Sequence, residues 1–209
     1  MEYKITQSVF KKYPLWFEIL SGILLGILNS SFSTFFGEKI ASPIFMDTIF
    51  AITAAFIGWW SGILSVITFA TLSYLKAPGA KLVAALFVLC VFIMILITRI
   101  TFRKKERVSF LTLFFVYLLC VFFVSLSGAI ISTYAFNHFE YPDFNSVKYL
   151  TMIFTHQHVP LILSSFLSRI PVNAVDKLIA VFCGYGIYYL IEKFSLKVKF
   201  ISEWKKDLV

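Results

Sequence analysis

"MDTIFAITAAFIGWWSGILSVITFATLSYL" runs from Met46 to Leu75, and its reading decides the fold. A membrane crossing takes about 20 mostly apolar residues. This stretch is too long for one comfortable crossing and short for two. Gly58 and Gly62 bracket Trp59 and Trp60 at its centre. Glycine supplies a turn there, and tryptophan suits the boundary between lipid and water. The stretch therefore predicts two short spans, 46–58 and 61–75, tilted or partly sheltered by other parts of the protein.

Working outward, apolar runs predict further spans at about 15–36, 82–101, 109–136 and 173–194. They are separated by polar breaks such as "KAPGAK" and "RKKER". The composition agrees, with 59% of the 209 residues hydrophobic, 25 of them Phe, and only 14% charged. A soluble domain carries about a quarter charged residues. The chain reads as an all-α integral membrane protein, a bundle of six transmembrane helices in one membrane domain over 1–209. No length is left for a separate ATPase, kinase or receptor module. The polar first fourteen residues lead into a span with no small-residue cleavage site, so that span reads as retained rather than as a signal peptide.

Residues 150–167 are apolar but contain His156, His158 and Pro160. Charge bias decides how to treat them. With the N-terminus inside and six spans alternating, the inside segments, counted with Arg99 and Lys193 at the adjoining span ends, hold three, five and five Lys/Arg, and the outside loops hold Lys39, Lys76, Lys81, Lys148 and Arg169. That is a positive-inside pattern. A seventh full span would move the lysine-rich tail outside. The segment is therefore expected to be one extra re-entrant or outer-face helical piece. Both termini are expected in the cytoplasm of a prokaryotic cell whose plasma membrane holds the chain. The net charge of +8 follows from this bias, and no basic module with base-reading or stacking groups points to nucleic acid.

Cys90, Cys120 and Cys183 all lie in apolar runs, and His156 and His158 stand two apart, on different faces of a helix. Neither pattern makes a metal site or a disulfide framework. No Ser/His/Asp set, paired catalytic carboxylates or phosphate loop is visible, so neither an enzyme nor a bound cofactor is expected.

Polar groups inside apolar spans usually face a cavity or a partner. Before the last span, "SRIPVNAVDKLIAVFCGYG" (168–186) places Arg169, Asn173, Asp176 and Lys177 together. Pro171 suits a helix start there. Asn173 and Lys177 are four apart and share a face, which Ala180 and Gly184 continue. They form either an interfacial cap or the polar lip of a ligand cavity open to the outside. Asp47 stands at the start of its helix, as a cap or a ligand contact, and His156 is a further candidate contact. Ser125, Gly128, Ala129 and Ser132 form a small-residue side on the fifth span, expected to pack against a helix. In the first span, Gly22, Gly26 and Ser30 form a small-residue stripe that Asn29 and Ser33 accompany. It suits close approach of another helix, from this chain or from a separate subunit.

Two of these stretches resemble one family. "DTIFAITAAFIGWWSGILSVIT" is similar to the second and third helices of the substrate-binding S-components of energy-coupling factor (ECF) vitamin transporters. "RIPVNAVDKLIAVFCGYGIYYLIEK" is similar to their last helix, above all in the riboflavin-binding members, where I-P-x-N starts the span. In those members a lysine stands three residues after the asparagine; here Asp176 does, and Lys177 follows. The resemblance implies a high-affinity binding subunit for a vitamin or cofactor precursor, with Asn173 touching the ligand. It also implies docking through the Gly22–Gly26–Ser30 stripe on a membrane scaffold subunit, with two cytoplasmic ATPases driving release. The alternative is a membrane sensor or structural module that assembles with a signalling partner. A small lipid-active enzyme is a third possibility.

Overall fold

The computed structural model describes residues 13–37, 47–76, 86–103, 108–135 and 145–206. Among them are seven α-helices and no strand: α1 (Leu15–Phe32), α2 (Ile49–Ile57), α3 (Trp59–Lys76), α4 (Val88–Phe102), α5 (Phe110–Ala135), α6 (Asn145–His156) and α7 (Leu161–Lys206). A π-helical turn, Ser33–Gly37, extends α1. Three helical stretches are long and apolar enough to cross a membrane: Leu15–Phe35, Phe110–Tyr134 and Leu161–Phe194. Trp59–Leu75 and Val88–Phe102 are apolar but shorter. The chain is thus all-helical and of membrane type. Its outer surface carries large apolar side chains on every long helix, among them Trp16, Leu24, Leu111, Phe115 and Leu190. Water would not tolerate so continuous an apolar exterior, whereas lipid does.

Within 47–75 the chain folds as two helices, with Gly58 alone between them outside helical geometry. Its backbone is extended, with φ −173° and ψ 169°. Trp59 and Trp60 belong to α3 rather than to the turn. Gly62 faces Ala55, and Ala51, Ala55 and Val66 cluster with Val91 and Ile95 of α4. These pairings make α2 and α3 an antiparallel hairpin. At nine residues, α2 is ~13 Å long, about half of a bilayer's hydrocarbon core. Every residue of it except Phe50 is buried. Its Phe56 is fully buried against Phe102 and Tyr188, with both ring centroids at 5.2 Å. The short helix is the core around which the others stand.

Two polar side chains hold the hairpin at the Gly58 end. Glu18 of α1 accepts a hydrogen bond from the Trp60 amide at 3.1 Å, which satisfies a free donor of the first turn of α3. Arg99 of α4 donates to the Ala55 carbonyl at 3.1 Å and lies 5.2 Å from the Trp59 ring centroid. At the opposite end of α2, Asn29 of α1 does the equivalent work. Its amide nitrogen donates to the Asp47 carbonyl, and its oxygen accepts from the Phe50 amide at 3.3 Å.

The last third of the chain differs from the sequence expectation. The last helix does not begin at Asn173. It begins at Leu161 and runs 46 residues to Lys206, with Pro171 inside it. Proline there removes one backbone donor, a loss that packed membrane helices tolerate. Residues 150–167 are accordingly not one segment. They comprise the end of α6, a turn and the first turns of α7. The turn carries His158 at φ 61°. Val159 donates back to Phe154 and His158 to Thr155, the bonding pattern of a Schellman cap with histidine in glycine's usual place. α6 lies back along α7, joined by a 2.7 Å hydrogen bond between Thr151 and Ser168.

Candidate functional site

At the Asp47 end of α2, a cavity of about 110 Å³ opens between α2, α4, α5 and α7. Asp47 and Thr48 line it from α2, Phe87, Cys90 and Met94 from the α4 side, Val124 and Gly128 from α5, and Arg169, Asn173 and Lys177 from α7. The three α7 residues are spaced four apart, so helical periodicity stacks them on one face. Each is at least 96% buried. A buried polar side chain needs partners, and neighbouring helices provide them.

Lys177 is held between two acids. Its Nζ lies 2.5 Å from Asp176 Oδ2, 3.3 Å from Thr48 Oγ1 and 3.6 Å from Asp47 Oδ1. Asn173 donates to Ser125 Oγ of α5 at 2.9 Å. Arg169 donates to Ser132 Oγ of α5 and lies 5.6 Å from the centroid of the Phe87 ring, a cation–π distance. Gly128 packs against it, where a β-carbon would meet Arg169 Cδ and Nη1 at contact distance, 3.4 Å. The small-residue side of α5 thus receives the polar groups of α7 as well as packing against the helix.

Below this polar level, α7 meets α2 through its small residues. Ala180 is fully buried. A β-carbon on Gly184 would come within 2.8 Å of the Ile49 carbonyl oxygen. Thr53 donates to the Gly184 carbonyl at 3.0 Å. The Ala180–Gly184 strip is therefore where α2 seats on α7.

Of the residues expected from sequence to contact a ligand, Asp47, Arg169, Asn173 and Lys177 come together at the cavity. Asp176 stands behind it, 1% exposed, as the partner of Lys177. His156 does not join them. It is exposed in the last turn of α6, because α6 ends there and turns back into α7. The docking stripe also has another use. A β-carbon on Gly22 would meet the Ser61 carbonyl oxygen at 2.7 Å, and one on Gly26 the Ser65 carbonyl oxygen at 2.7 Å. Ser30 is 3% exposed. The stripe is filled by α3 of the same chain, so it offers no surface to a second protein.

Thr48, Phe87, Cys90 and Met94 were not singled out as site residues from the sequence. Met94 and Phe87 carry no signal in a uniformly apolar run, and Cys90 reads as a small apolar residue. Among the described residues, no three His, Cys, Asp or Glu side chains gather where a metal ion could sit. No protein-family model, curated protein or solved structure matches the chain.

Proposed function

We propose that this chain is the substrate-binding subunit of an ECF-type importer, a six-crossing membrane protein that captures a small metabolite. The observation that supports this reading is the cavity beside α2. Four α-helices converge on it with Asp47, Arg169, Asn173 and Lys177 in its wall. Charges at membrane depth are costly and mark ligand or ion pathways. The ligand is of vitamin or cofactor-precursor type and enters from the outer side. Both termini lie in the cytoplasm, where a scaffold subunit and two ATPases supply the energy. The chain itself hydrolyses nothing. With the Gly22–Gly26–Ser30 stripe occupied by α3, docking on the scaffold falls to an outward face of the bundle.

A screen of B vitamins and cofactor precursors against the purified chain tests the binding claim. A ligand at 100 times its Kd adds about 2.7 kcal/mol to apparent stability, a readily visible rise in melting temperature. Mass spectrometry of the purified protein would identify any ligand it carries. A panel in which nothing stabilises the chain counts against the reading.

One observation favours a second reading. α7 runs unbroken from the cavity wall at Arg169 to Lys206. A sensor would use such a helix to carry a binding event to a signalling partner at the C-terminal end. Co-purification with a kinase, and not with an ATPase scaffold, would favour the sensor.

A further inference from the structure

Resting on that reading of the cavity, we infer that its occupant is a small zwitterion, with an ammonium or similar donor near Asp47 and a carboxylate near Arg169. The wall is polarised along α7. At one end, Lys177, Asp176 and Asp47 bring two acidic groups against one basic group. Lys177 is engaged by Asp176 at 2.5 Å and donates to Thr48. Its 3.6 Å separation from Asp47 Oδ1 is an ion pair without a hydrogen bond, and that oxygen is buried and accepts none. One turn along, Asn173 commits its amide nitrogen to Ser125. Asn173 also lines the cavity at this level. Asp47 Oδ1 is therefore the acceptor that awaits a donor at this end.

The other end is cationic. The Arg169 guanidinium lines the cavity, supported by Ser132 and the Phe87 ring. A guanidinium presents planar donors that suit a carboxylate. The two poles lie one to two helical turns apart along α7, roughly 6–12 Å at 1.5 Å per residue. The ligand's charged groups must therefore be separated by several bonds, as in an ω-amino acid and not an α-amino acid. Val124 and Met94 line the cavity as apolar contacts for the chain between them. A volume of about 110 Å³ falls below the ~300 Å³ at which drug-sized pockets begin. That excludes large polycyclic ligands and suits a chain of four to six carbons.

The test uses the full chain in detergent or nanodiscs with three matched probes: 5-aminopentanoate, pentanoate and pentylamine. Calorimetry should show 5-aminopentanoate binding at least tenfold more tightly than either single-charge analogue. Arg169→Gln should weaken 5-aminopentanoate roughly tenfold or more, with little effect on pentylamine. Asp47→Asn should likewise remove the advantage of the amino group. A single-charge analogue binding within threefold of the zwitterion would overturn the inference. If Arg169→Gln does not fold, the three-probe comparison on the unaltered chain decides by itself. Binding of a vitamin or precursor without any of the five-carbon probes would sink the zwitterion while sparing the binding-subunit reading. No binding by any compound in either set would sink both.

Discussion

Lys177 is the residue on which the site's electrostatics turn. Replacing it with methionine keeps the length of the side chain but strands Asp176 and Asp47 in an apolar interior. Breaking a buried pair from one side costs about 3–5 kcal/mol, so Lys177→Met should lower thermal stability severely in detergent. Adding Asp176→Asn should recover a large part of that loss, since one carboxylate no longer needs a partner. Equal stability of the single and double variants would show that Asp176 and Lys177 are not coupled. Helical spacing alone put Asn173 and Lys177 on one face, and the structure keeps them there; Arg169 joins them because α7 begins at Leu161, before the expected start of the last span. Asp47 was legible as a cap or a ligand contact at a helix start, but not as a partner of Lys177. Its meeting with Lys177 spans 130 positions of sequence, which periodicity cannot reach. His158 makes a smaller point. Left-handed backbone costs an L-residue roughly 1–2 kcal/mol, so His158→Gly should stabilise the α6–α7 turn by about 1 kcal/mol in thermal unfolding. A destabilised glycine variant would show that the imidazole makes a compensating contact.

At the scale of elements, the α1–α3 contact is the most sensitive to volume. Both glycines of α1 face backbone carbonyl oxygens of α3, which cannot swing away as a side chain could. Overpacking costs about 1–3 kcal/mol, and Gly26→Leu should reach or exceed the upper end. Loss of folded yield or of melting temperature checks this, and unchanged stability would return the stripe to the exterior. The sequence showed that a helix would approach these small residues but not which one, because a close-packing stripe does not name its partner. Pro171 misled in a related way. Proline favours the first turn of a helix, so it read as a start, yet α7 carries it inside. At the other end of the hairpin, Glu18 and Gly58 act together. A β-carbon at 58 would lie 2.1 Å from the Glu18 carboxylate and would displace it from the Trp60 amide. Gly58→Ala and Glu18→Ala should each cost about 1 kcal/mol, the usual worth of an N-terminal cap. The double variant should cost little more than one alone, because both remove the same bond. Full additivity in a double-mutant cycle would refute the shared role.

Across the whole molecule, Trp16, Trp59 and Trp60 are exposed at the same end of the bundle, tied there by the Glu18–Trp60 bond. Tryptophan gathers where lipid meets water, so this end marks a membrane boundary in the proposed arrangement. Tyr188 packs on Phe56 close to that level, and Lys177 lies eleven residues further along α7, ~16 Å. That is near the middle of a ~30 Å hydrocarbon core. Epitope tags at either end of the chain should become accessible in intact cells only after permeabilisation. A tag reached from outside would reverse the proposed orientation. Apolar length made the membrane class legible, and α5, Phe110–Ala135, lies within the apolar run expected as the fifth span. The cavity was less so, because α4 is apolar throughout and nothing in it distinguishes the Phe87–Met94 wall from a lipid-facing one.

The brevity of α2 has a consequence for biogenesis. Nine residues are too few for the insertion machinery to treat as an independent span. One glycine separates α2 from α3, so in the proposed arrangement the two enter the bilayer as a single hairpin, with α3 supplying the greasy length. α7 is made after α2 and carries Asp176 and Lys177 in its apolar portion, each with an insertion penalty of about 2.5–3.5 kcal/mol at mid-helix. Asp47 and Thr48, already in place, offer those charges their first partners inside the lipid. In the proposed arrangement, the half-length helix is in place before α7, the helix that completes its contacts, has been made.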